Sequence, residues 1–206
     1  LKKREISGYL IQLICSYLSE RKIVTKHGDE YEMNMGVPQG SILGPLLWNI
    51  YFDPVARQHM PLGVDTLCYA DDTALIIRAK TCNLLKRKAT LALQKISSAI
   101  KERQLNLAME KTEMVILYGG YKLKDISLDT EELSIRSKKE LKYLGLQIDH
   151  NFQMKSHIKY VAEKAGKCIG SLSRLMPKID GPSQEKRKLY STVAHSIILY
   201  ECATWK

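Results

Sequence analysis

The stretch Gly63–Lys80, GVDTLCYADDTALIIRAK, places two adjacent aspartates, Asp71 and Asp72, between two apolar runs. Residues 66–69 and 73–77 are rich in β-branched, aromatic and aliphatic side chains, which favour strands. Because aspartate is favoured in turns, the pattern predicts a strand, a tight turn and a second strand. The two carboxylates would then lie at the tip of a hairpin.

The composition predicts a globular chain with a polyanionic partner. The chain has 206 residues, 45% of them hydrophobic and 26% charged, which suits one domain or one domain and part of another. Its formal net charge is +10 and its isoelectric point is about 9.3. This excess of positive charge favours polyanions over acidic proteins or neutral metabolites, so nucleic acid is the leading candidate partner. The alternative is that the lysines form ordinary solvated faces.

The cysteines and the apolar segments argue against several other classes. The five cysteines form no CxxC pair and no regular framework, so neither a zinc site nor a disulfide scaffold is indicated and reduced intracellular thiols are expected. No apolar stretch is long enough to span a bilayer, and residues 1–10 contain no secretory signal, so we expect no membrane partner. The first residue is Leu rather than Met. This predicts an internal fragment of a longer polypeptide, although a processed chain would begin in the same way.

Hydrophobic periodicity divides the first part of the chain into helices and hairpins. Apolar residues recur at helical spacing within residues 6–20 and 83–104, and the second helix carries a basic outer face. Residues 21–36 predict a hairpin that turns at residues 27–29. A tight loop with two glycines and a proline, GVPQGS at 36–41, then leads into a mostly apolar helix.

Two further strands are predicted before the chain becomes helical. EMVILY, at 113–118, indicates a buried strand that ends at Gly119-Gly120. In LKYLGLQID, at 141–149, alternating apolar residues predict a strand with one apolar face: Leu144, Leu146 and Ile148.

Beyond His150 only helices are predicted, so the order of elements indicates an α+β fold. One helix begins near Ser156, and a second follows a break at Pro177, Gly181 and Pro182. The apolar stripe of the first helix comprises Ile158, Val161, Ala162, Ala165, Cys168, Ile169, Leu172 and Leu175. The second helix carries Leu189, Val193, Ile197 and Ile198.

The adjacent carboxylates of Asp71 and Asp72 call for a chemical explanation. They repel each other when both are ionised, and a bound divalent cation offsets that repulsion. Carboxylate oxygens suit Mg²⁺, and two Mg²⁺ ions can stabilise the attacking and leaving oxygens in nucleotidyl transfer. Such a site needs another carboxylate from a separate element, because adjacent strand residues point to opposite faces. The alternative is that the pair is merely good turn chemistry.

Four segments in order resemble the palm motifs of reverse transcriptases. The likeness is to non-LTR (LINE-type) retrotransposon polymerases, in particular the insect ribosomal-DNA-inserting type-1 elements, and it covers essentially the whole chain. The segments are GVPQGSILGPLLWNI at 36–50, YADDTALII at 69–77, LNLAMEKTEMVIL at 105–117 and KYLGLQID at 142–149. The tail, residues 157–200, is similar to the thumb side of that family. The resemblance implies a right-hand polymerase fold, with a partial palm of antiparallel sheet backed by helices at 1–150 and a partial helical thumb segment at 151–206.

The resemblance also implies roles for the YADD box and its neighbours. Asp71 would be the main metal ligand and Asp72 its partner, holding two Mg²⁺ ions in the intact enzyme. Tyr69 and Ala70 would set the turn beside the primer end. Lys111 would approach the triphosphate and assist pyrophosphate departure; the alternative is a surface lysine on a connector.

Two loops would bind substrate by the same resemblance. In the GVPQGS loop, Gln39 and Ser41 would contact template and incoming nucleotide, while Pro38 and Gly40 shape the backbone. Ser41 could equally cap the following helix, and both roles are compatible. Tyr143, Leu144 and Gly145 resemble the primer-grip hairpin, where a close backbone approach suits Gly145; the alternative is an ordinary half-buried strand. The two tryptophans, Trp48 and Trp205, are expected to pack rather than to stack on bases, and the histidines are expected to be structural.

The implied reaction is addition of deoxynucleotides to a DNA 3′ end copied from an RNA template. The partners would be the RNA template, primer or target DNA and dNTPs, in a nuclear parent protein that also carries an endonuclease. The family has an earlier strand with a further catalytic aspartate, and we find none before residues 1–10; Asp53 and Asp65 are poor substitutes. The isolated chain should therefore bind metal weakly and polymerise little.

Two other functions compete with this reading. A catalytically inactive nucleic-acid-binding remnant would bind with strong salt dependence but without need of Mg²⁺ or Asp71. An RNA-dependent RNA polymerase shares the palm chemistry but fits the YADD motif series less well. The oligomeric state is left open by the sequence.

Overall fold

The structure is a computed structural model that describes residues 6–117, 126–130, 134–175 and 183–204. The breaks predicted at Gly119-Gly120 and at Pro177, Gly181 and Pro182 lie outside the described residues, as does Trp205. The chain forms two compact units, Leu1–Leu107 and Ala108–Lys206. The predicted boundary between palm and thumb at residue 150 stays a prediction.

The first unit confirms the elements predicted from periodicity. Its two hairpins are antiparallel, β1 with β2 and β3 with β4. Gly28, in the loop between β1 and β2, has a φ of +91°, a conformation that glycine adopts without strain. The elements are α1 (Gly8–Leu18), β1 (Lys22–Val24), β2 (Glu30–Glu32), α2 (Gly44–Ala56), β3 (Val64–Tyr69), β4 (Asp72–Ile77) and α3 (Cys82–Lys101).

Helices α2 and α3 form the core of the first unit. The buried cluster comprises Phe52 and Val55 of α2 with Ile96, Ala99 and Ile100 of α3. Partly buried apolar residues pack against this cluster: Trp48, Met60, Leu75, Leu105 and Leu107. Leu75 lies in β4 and connects the cluster to the β3–β4 hairpin. The β3–β4 hairpin therefore rests on a helical base.

The basic outer face predicted for α3 is present only in part. Lys86 and Arg87 are exposed, as predicted. Lys88 and Lys95 are half-buried instead, and the Nζ atom of each donates to a backbone carbonyl oxygen. These two bonds attach α3 to the segments that flank the hairpin, because the acceptors are His59, before β3, and Arg78, directly after β4.

The second unit is also mixed. Strands β6 and β7 are antiparallel, β5 is parallel to β7, and β8 and β9 form a hairpin. Helix α4 packs on β9 and on α5. The elements are a 3₁₀ turn (Met109–Lys111), β5 (Met114–Val115), β6 (Ser127–Asp129), β7 (Ser134–Lys138), β8 (Glu140–Tyr143), β9 (Leu146–Asp149), α4 (Lys155–Leu175), α5 (Gln184–Ile198) and a 3₁₀ turn (Cys202–Thr204).

The two units together confirm a mixed fold of helices and sheet. Among the described residues, the strands form four small sheets, one of which contains the parallel pair β5–β7. The expectation of one antiparallel sheet is therefore not met within these residues. The palm and thumb assignments stay predictions.

Two strand predictions need correction. The alternation of Leu144, Leu146 and Ile148 does not mark one strand, because Leu144 and Gly145 form the loop between β8 and β9. Their φ angles are +46° and +89°, so the chain reverses there. Among the described residues of EMVILY, 113–117, only Met114–Val115 forms a strand, and both residues are half-buried rather than buried.

The predicted apolar faces of the last two helices are partly wrong. On α4, Val161 and Ala165 are buried as predicted, but Ile158 is 48% exposed and Ala162 is exposed. The buried line of α4 instead starts at His157, one position earlier, because this imidazole fills the space against β9: its Nδ1 accepts a hydrogen bond from the backbone N–H of Gln147 at 3.3 Å. On α5, Leu189 is exposed.

The buried His157 predicts a pH-dependent stability. Burial lowers the pKa of His157 below its ordinary value of 6.5, so below pH 6.5 the unfolded chain takes up a proton that the folded chain resists. The contribution to the free energy of unfolding is fully present above pH 6.5 and is lost as the pH falls through the folded pKa. Urea unfolding at pH 7.5, 6.5 and 5.5 measures this loss.

His157→Gln should remove that part of the pH dependence, whereas His27→Gln, at an exposed turn, should retain it. An unchanged pH dependence in His157→Gln would contradict the assignment.

Candidate functional site

The YADD residues meet at the turn of the β3–β4 hairpin. Tyr69 pairs with Asp72, and the loop between them consists of Ala70 and Asp71. This confirms the predicted hairpin with carboxylates at its tip. Ala70 has a φ of +53°, a conformation that costs an L-residue about 1–2 kcal/mol. The turn therefore needs support from its surroundings.

Trp48 supplies that support. Its indole Nε1–H donates to the carbonyl oxygen of Ala70 at 2.8 Å. The same indole stacks on Phe52, with ring centroids 5.2 Å apart and planes 15° apart. Packing of Trp48 was predicted, but its bond to the turn was not. An indole N–H that is partly buried needs an acceptor, and that need was the available signal.

The hairpin presents one open face. Residues that pair across an antiparallel ladder share a face, so Asp72 lies on the same face as Tyr69, which is 66% exposed. The face continues with Leu67 and Ala74 and then with Asp65 and Ile76. The opposite face contains Val64, which is buried, and Leu75, which packs on the core. Tyr69 and Asp72 are thus accessible to a large ligand.

Two exposed carboxylates on successive residues fit a Mg²⁺ site, since Mg²⁺ is commonly held by one or two carboxylates together with substrate phosphates. Within the described part of the chain, no three or more His, Cys, Asp or Glu residues are arranged so that they could hold a metal ion together. Asp65 forms an ion pair with Arg78, and Asp53 forms one with Arg57. Neither is therefore placed as a third ligand beside Asp71 and Asp72.

The GVPQGS loop is connected to the start of α2 by local hydrogen bonds. The Oγ of Ser41 accepts a hydrogen bond from the N–H of Gly44 at 3.0 Å, and the N–H of Ser41 donates to the carbonyl oxygen of Pro38 at 3.2 Å. Ser41 thus satisfies the first N–H of α2, although the N-cap position itself is occupied by Leu43, which makes no side-chain cap bond. Gly40 has a φ of +84°, and Gln39 is exposed. Their contacts with template or nucleotide stay predictions.

Arg21 holds the start of this loop. Its Nη1 donates to the carbonyl oxygen of Gly36 at 2.6 Å, and its Nε donates to the carbonyl oxygen of Leu18 at 3.2 Å. The bond to Gly36 was not predicted, and the sequence carries no signal for it because the residues are fifteen positions apart.

The remaining predicted residues belong to the second unit. Lys111 ends a 3₁₀ turn and is exposed, so the alternative of a surface lysine stays open. Tyr143 ends β8, and Leu144 and Gly145 form the loop. The alternative of an ordinary strand therefore holds for Tyr143 but is wrong for Leu144 and Gly145. Asp71 and Asp72 lie in the first unit, and Lys111 and the YLG turn lie in the second.

Tyr200 approaches the YLG turn, which sequence reasoning did not predict. Its hydroxyl donates to the carbonyl oxygen of Leu144 at 3.2 Å. A Cβ at Gly145 would lie 2.9 Å from Cε1 of Tyr200. A close approach at Gly145 was expected, but the group that approaches is this ring of the same chain.

No helix in the described ranges combines the length and the apolar character that crossing a membrane requires.

Comparison with known proteins places these features in context. Residues 2–148 match the family described as reverse transcriptase (RNA-dependent DNA polymerase). The chain is 26% identical over 205 residues to a probable RNA-directed DNA polymerase from transposon BS of Drosophila melanogaster, covering 92% of this chain and 22% of the relative. No solved structure matches significantly.

Two further relatives come from other mobile elements. The Pol polyprotein of type-1 retrotransposable element R1 from Bradysia coprophila is 25% identical over 210 residues, covering all of this chain and 21% of the relative. The RNA-directed DNA polymerase of mobile element jockey from Drosophila funebris is 32% identical over 168 residues, covering 76% of this chain and 18% of the relative. The chain thus spans about a fifth of the length of these relatives.

Proposed function

The chain belongs to the reverse transcriptase (RNA-dependent DNA polymerase) family, and from this premise we propose that it forms part of the catalytic core of a retrotransposon polymerase that copies RNA into DNA. Its relatives are polymerases of insect mobile elements and are several times longer. The activity is therefore proposed for a longer protein that contains the chain. Its substrates are an RNA template, a DNA primer or target DNA, and dNTPs.

The YADD turn is the observation that carries the proposal. It exposes two successive carboxylates, and Trp48 connects it to the helical core. Nucleotidyl transfer depends on positioning and on stabilisation of charge at the transferring phosphoryl group. A rigid turn with two anionic side chains and an open face meets both needs.

Each residue of the YADD turn and its surroundings has a proposed role in nucleotidyl transfer. Asp71 and Asp72 would hold Mg²⁺, and the chemistry that the metal would supply is stabilisation of charge on the attacking 3′ oxygen and the leaving pyrophosphate oxygen. The bond from Trp48 fixes the backbone of the turn. Tyr69 offers an exposed ring next to Asp72 for the sugar of the primer end.

The other proposed contacts surround this centre. In the GVPQGS loop, Gln39 and Ser41 contact template and incoming nucleotide, while Pro38 and Gly40 shape the backbone; the Oγ of Ser41 also accepts a hydrogen bond from Gly44 at the start of α2. Lys111 donates to the departing pyrophosphate, and the YLG turn binds the primer end. We propose right-hand palm and thumb regions around these residues, a nuclear location and an endonuclease in the same longer protein. We also propose that the chain alone is inactive, because the described residues place no third carboxylate beside the pair.

A second candidate function is favoured because the described residues place no third carboxylate beside Asp71 and Asp72. A net charge of +10 would let the chain bind nucleic acid without catalysis, through contacts with phosphates. Binding of this kind weakens steeply with salt and requires neither Mg²⁺ nor Asp71.

Primer extension by the native polypeptide that contains this chain tests the proposal. With an annealed DNA primer, an RNA template, dNTPs and Mg²⁺, we expect extension that stops when EDTA removes the metal. Extension with NTPs in place of dNTPs would indicate an RNA polymerase. Salt-dependent binding of the primer–template without extension would overturn the proposal in favour of the non-catalytic function.

A further inference from the structure

The turn between β8 and β9 has a strained backbone. Leu144 and Gly145 both have positive φ, +46° and +89°, which is the pattern of a type I′ hairpin loop. Asparagine or glycine usually occupies the first position of such a loop, whereas a leucine there is strained. Strained residues persist only where the surroundings hold them, and they concentrate at functional sites.

Tyr200 is the group that holds this turn. It follows Leu199, the residue that caps the C-terminus of α5, and it lies 56 positions after Leu144. Its hydroxyl binds the carbonyl oxygen of Leu144, and its ring covers Gly145 so closely that a Cβ there would meet Cε1 at 2.9 Å. One side chain therefore contacts both residues of the loop.

We propose that Tyr200 is a positioning residue that sets the conformation in which the YLG turn receives the primer end. This inference rests on the proposed function. Helix α5 packs on α4, and α4 packs on β9. Tyr200 adds a direct contact between the end of α5 and the turn that precedes β9. Because Tyr200 is 48% exposed, we expect removal of its hydroxyl to change global stability little.

The test compares Tyr200→Phe with Tyr190→Phe in the native polypeptide. Tyr190 lies on α5, so the control makes the same chemical change ten residues earlier. Phenylalanine keeps the ring but removes the hydroxyl that binds Leu144. For Tyr200→Phe we expect kcat for the first nucleotide added to fall about threefold to tenfold, as for loss of one hydrogen bond, while the KM for dNTP and the melting temperature are unchanged. Equal kcat values for the two variants would overturn the inference.

A double-mutant cycle tests the contact itself. Gly145→Ala should slow extension more in the presence of Tyr200 than in a Tyr200→Ala background, because only the tyrosine ring collides with the new Cβ. Losses that simply multiply would overturn the steric account. If the unsubstituted polypeptide does not extend the primer, the proposed function fails and this inference fails with it. If it does extend, a normal Tyr200→Phe variant refutes only the role of Tyr200.

Discussion

Asp71→Asn is expected to slow RNA-templated DNA synthesis by the native polypeptide by a factor on the order of 10³, as for loss of a major electrostatic contribution to the transition state. Asparagine keeps the size of the side chain and one of its oxygens. It removes the negative charge that a Mg²⁺ site requires. Asp71 is exposed in a two-residue loop, so the substitution should alter the free energy of unfolding by no more than about 0.5 kcal/mol.

Asp65→Asn is the matched control for this prediction. It makes the same chemical change on β3 of the same hairpin and removes only the exposed ion pair with Arg78, an interaction worth about 0–1 kcal/mol. Its extension rate should stay close to that of the unsubstituted protein. Single-nucleotide extension at saturating dNTP, with the folded fraction checked by circular dichroism, measures both variants. A folded Asp71→Asn variant with an unchanged rate would remove Asp71 from the catalytic centre.

The YADD hairpin could be predicted from the sequence because its determinants are local. Two strand-forming runs flank a pair of turn-forming residues, and no distant residue is needed to bring Tyr69 opposite Asp72. Helices α1 and α3 were predictable for the same reason, since their apolar periodicity lies within each segment, and α2 was predicted from its mostly apolar composition. The hydrogen bond from the N–H of Gly44 to Ser41 is likewise a contact across three residues.

The features that were missed depend on residues far apart in the chain. Trp48 and Ala70 are 22 positions apart, and Tyr200 and Leu144 are 56 apart. No local pattern reports such contacts. Apolar periodicity predicted one strand across the β8–β9 turn, because the alternation passes through Leu144 and a leucine with positive φ contradicts its own propensity; the hairpin implied by the family resemblance is the one observed. His157 was missed as a core residue because a search for apolar periodicity does not count polar residues.

Phe52→Ala is expected to lower the free energy of unfolding by about 3–5 kcal/mol, the usual range for removing a buried aromatic ring. Phe52 is 6% exposed in the α2–α3 cluster, where it packs with Val55 and Ile96. A cavity in that cluster cannot close easily, because α2 and α3 both contribute rigid apolar side chains to it. Urea unfolding followed by circular dichroism measures the change.

Phe52→Ala should also weaken the support of the YADD turn, because Phe52 stacks on the Trp48 indole that donates to Ala70. Leu46→Ala is the control: Leu46 lies on α2 and is 55% exposed, so the unfolding free energy should change little. Phe52→Leu, which retains more of the apolar volume, should fall between the two. If Phe52→Ala were no less stable than Leu46→Ala, the cluster would not be the core of the first unit. Packing of the cluster against Trp48 would then not explain how the strained Ala70 is held in the turn of the hairpin.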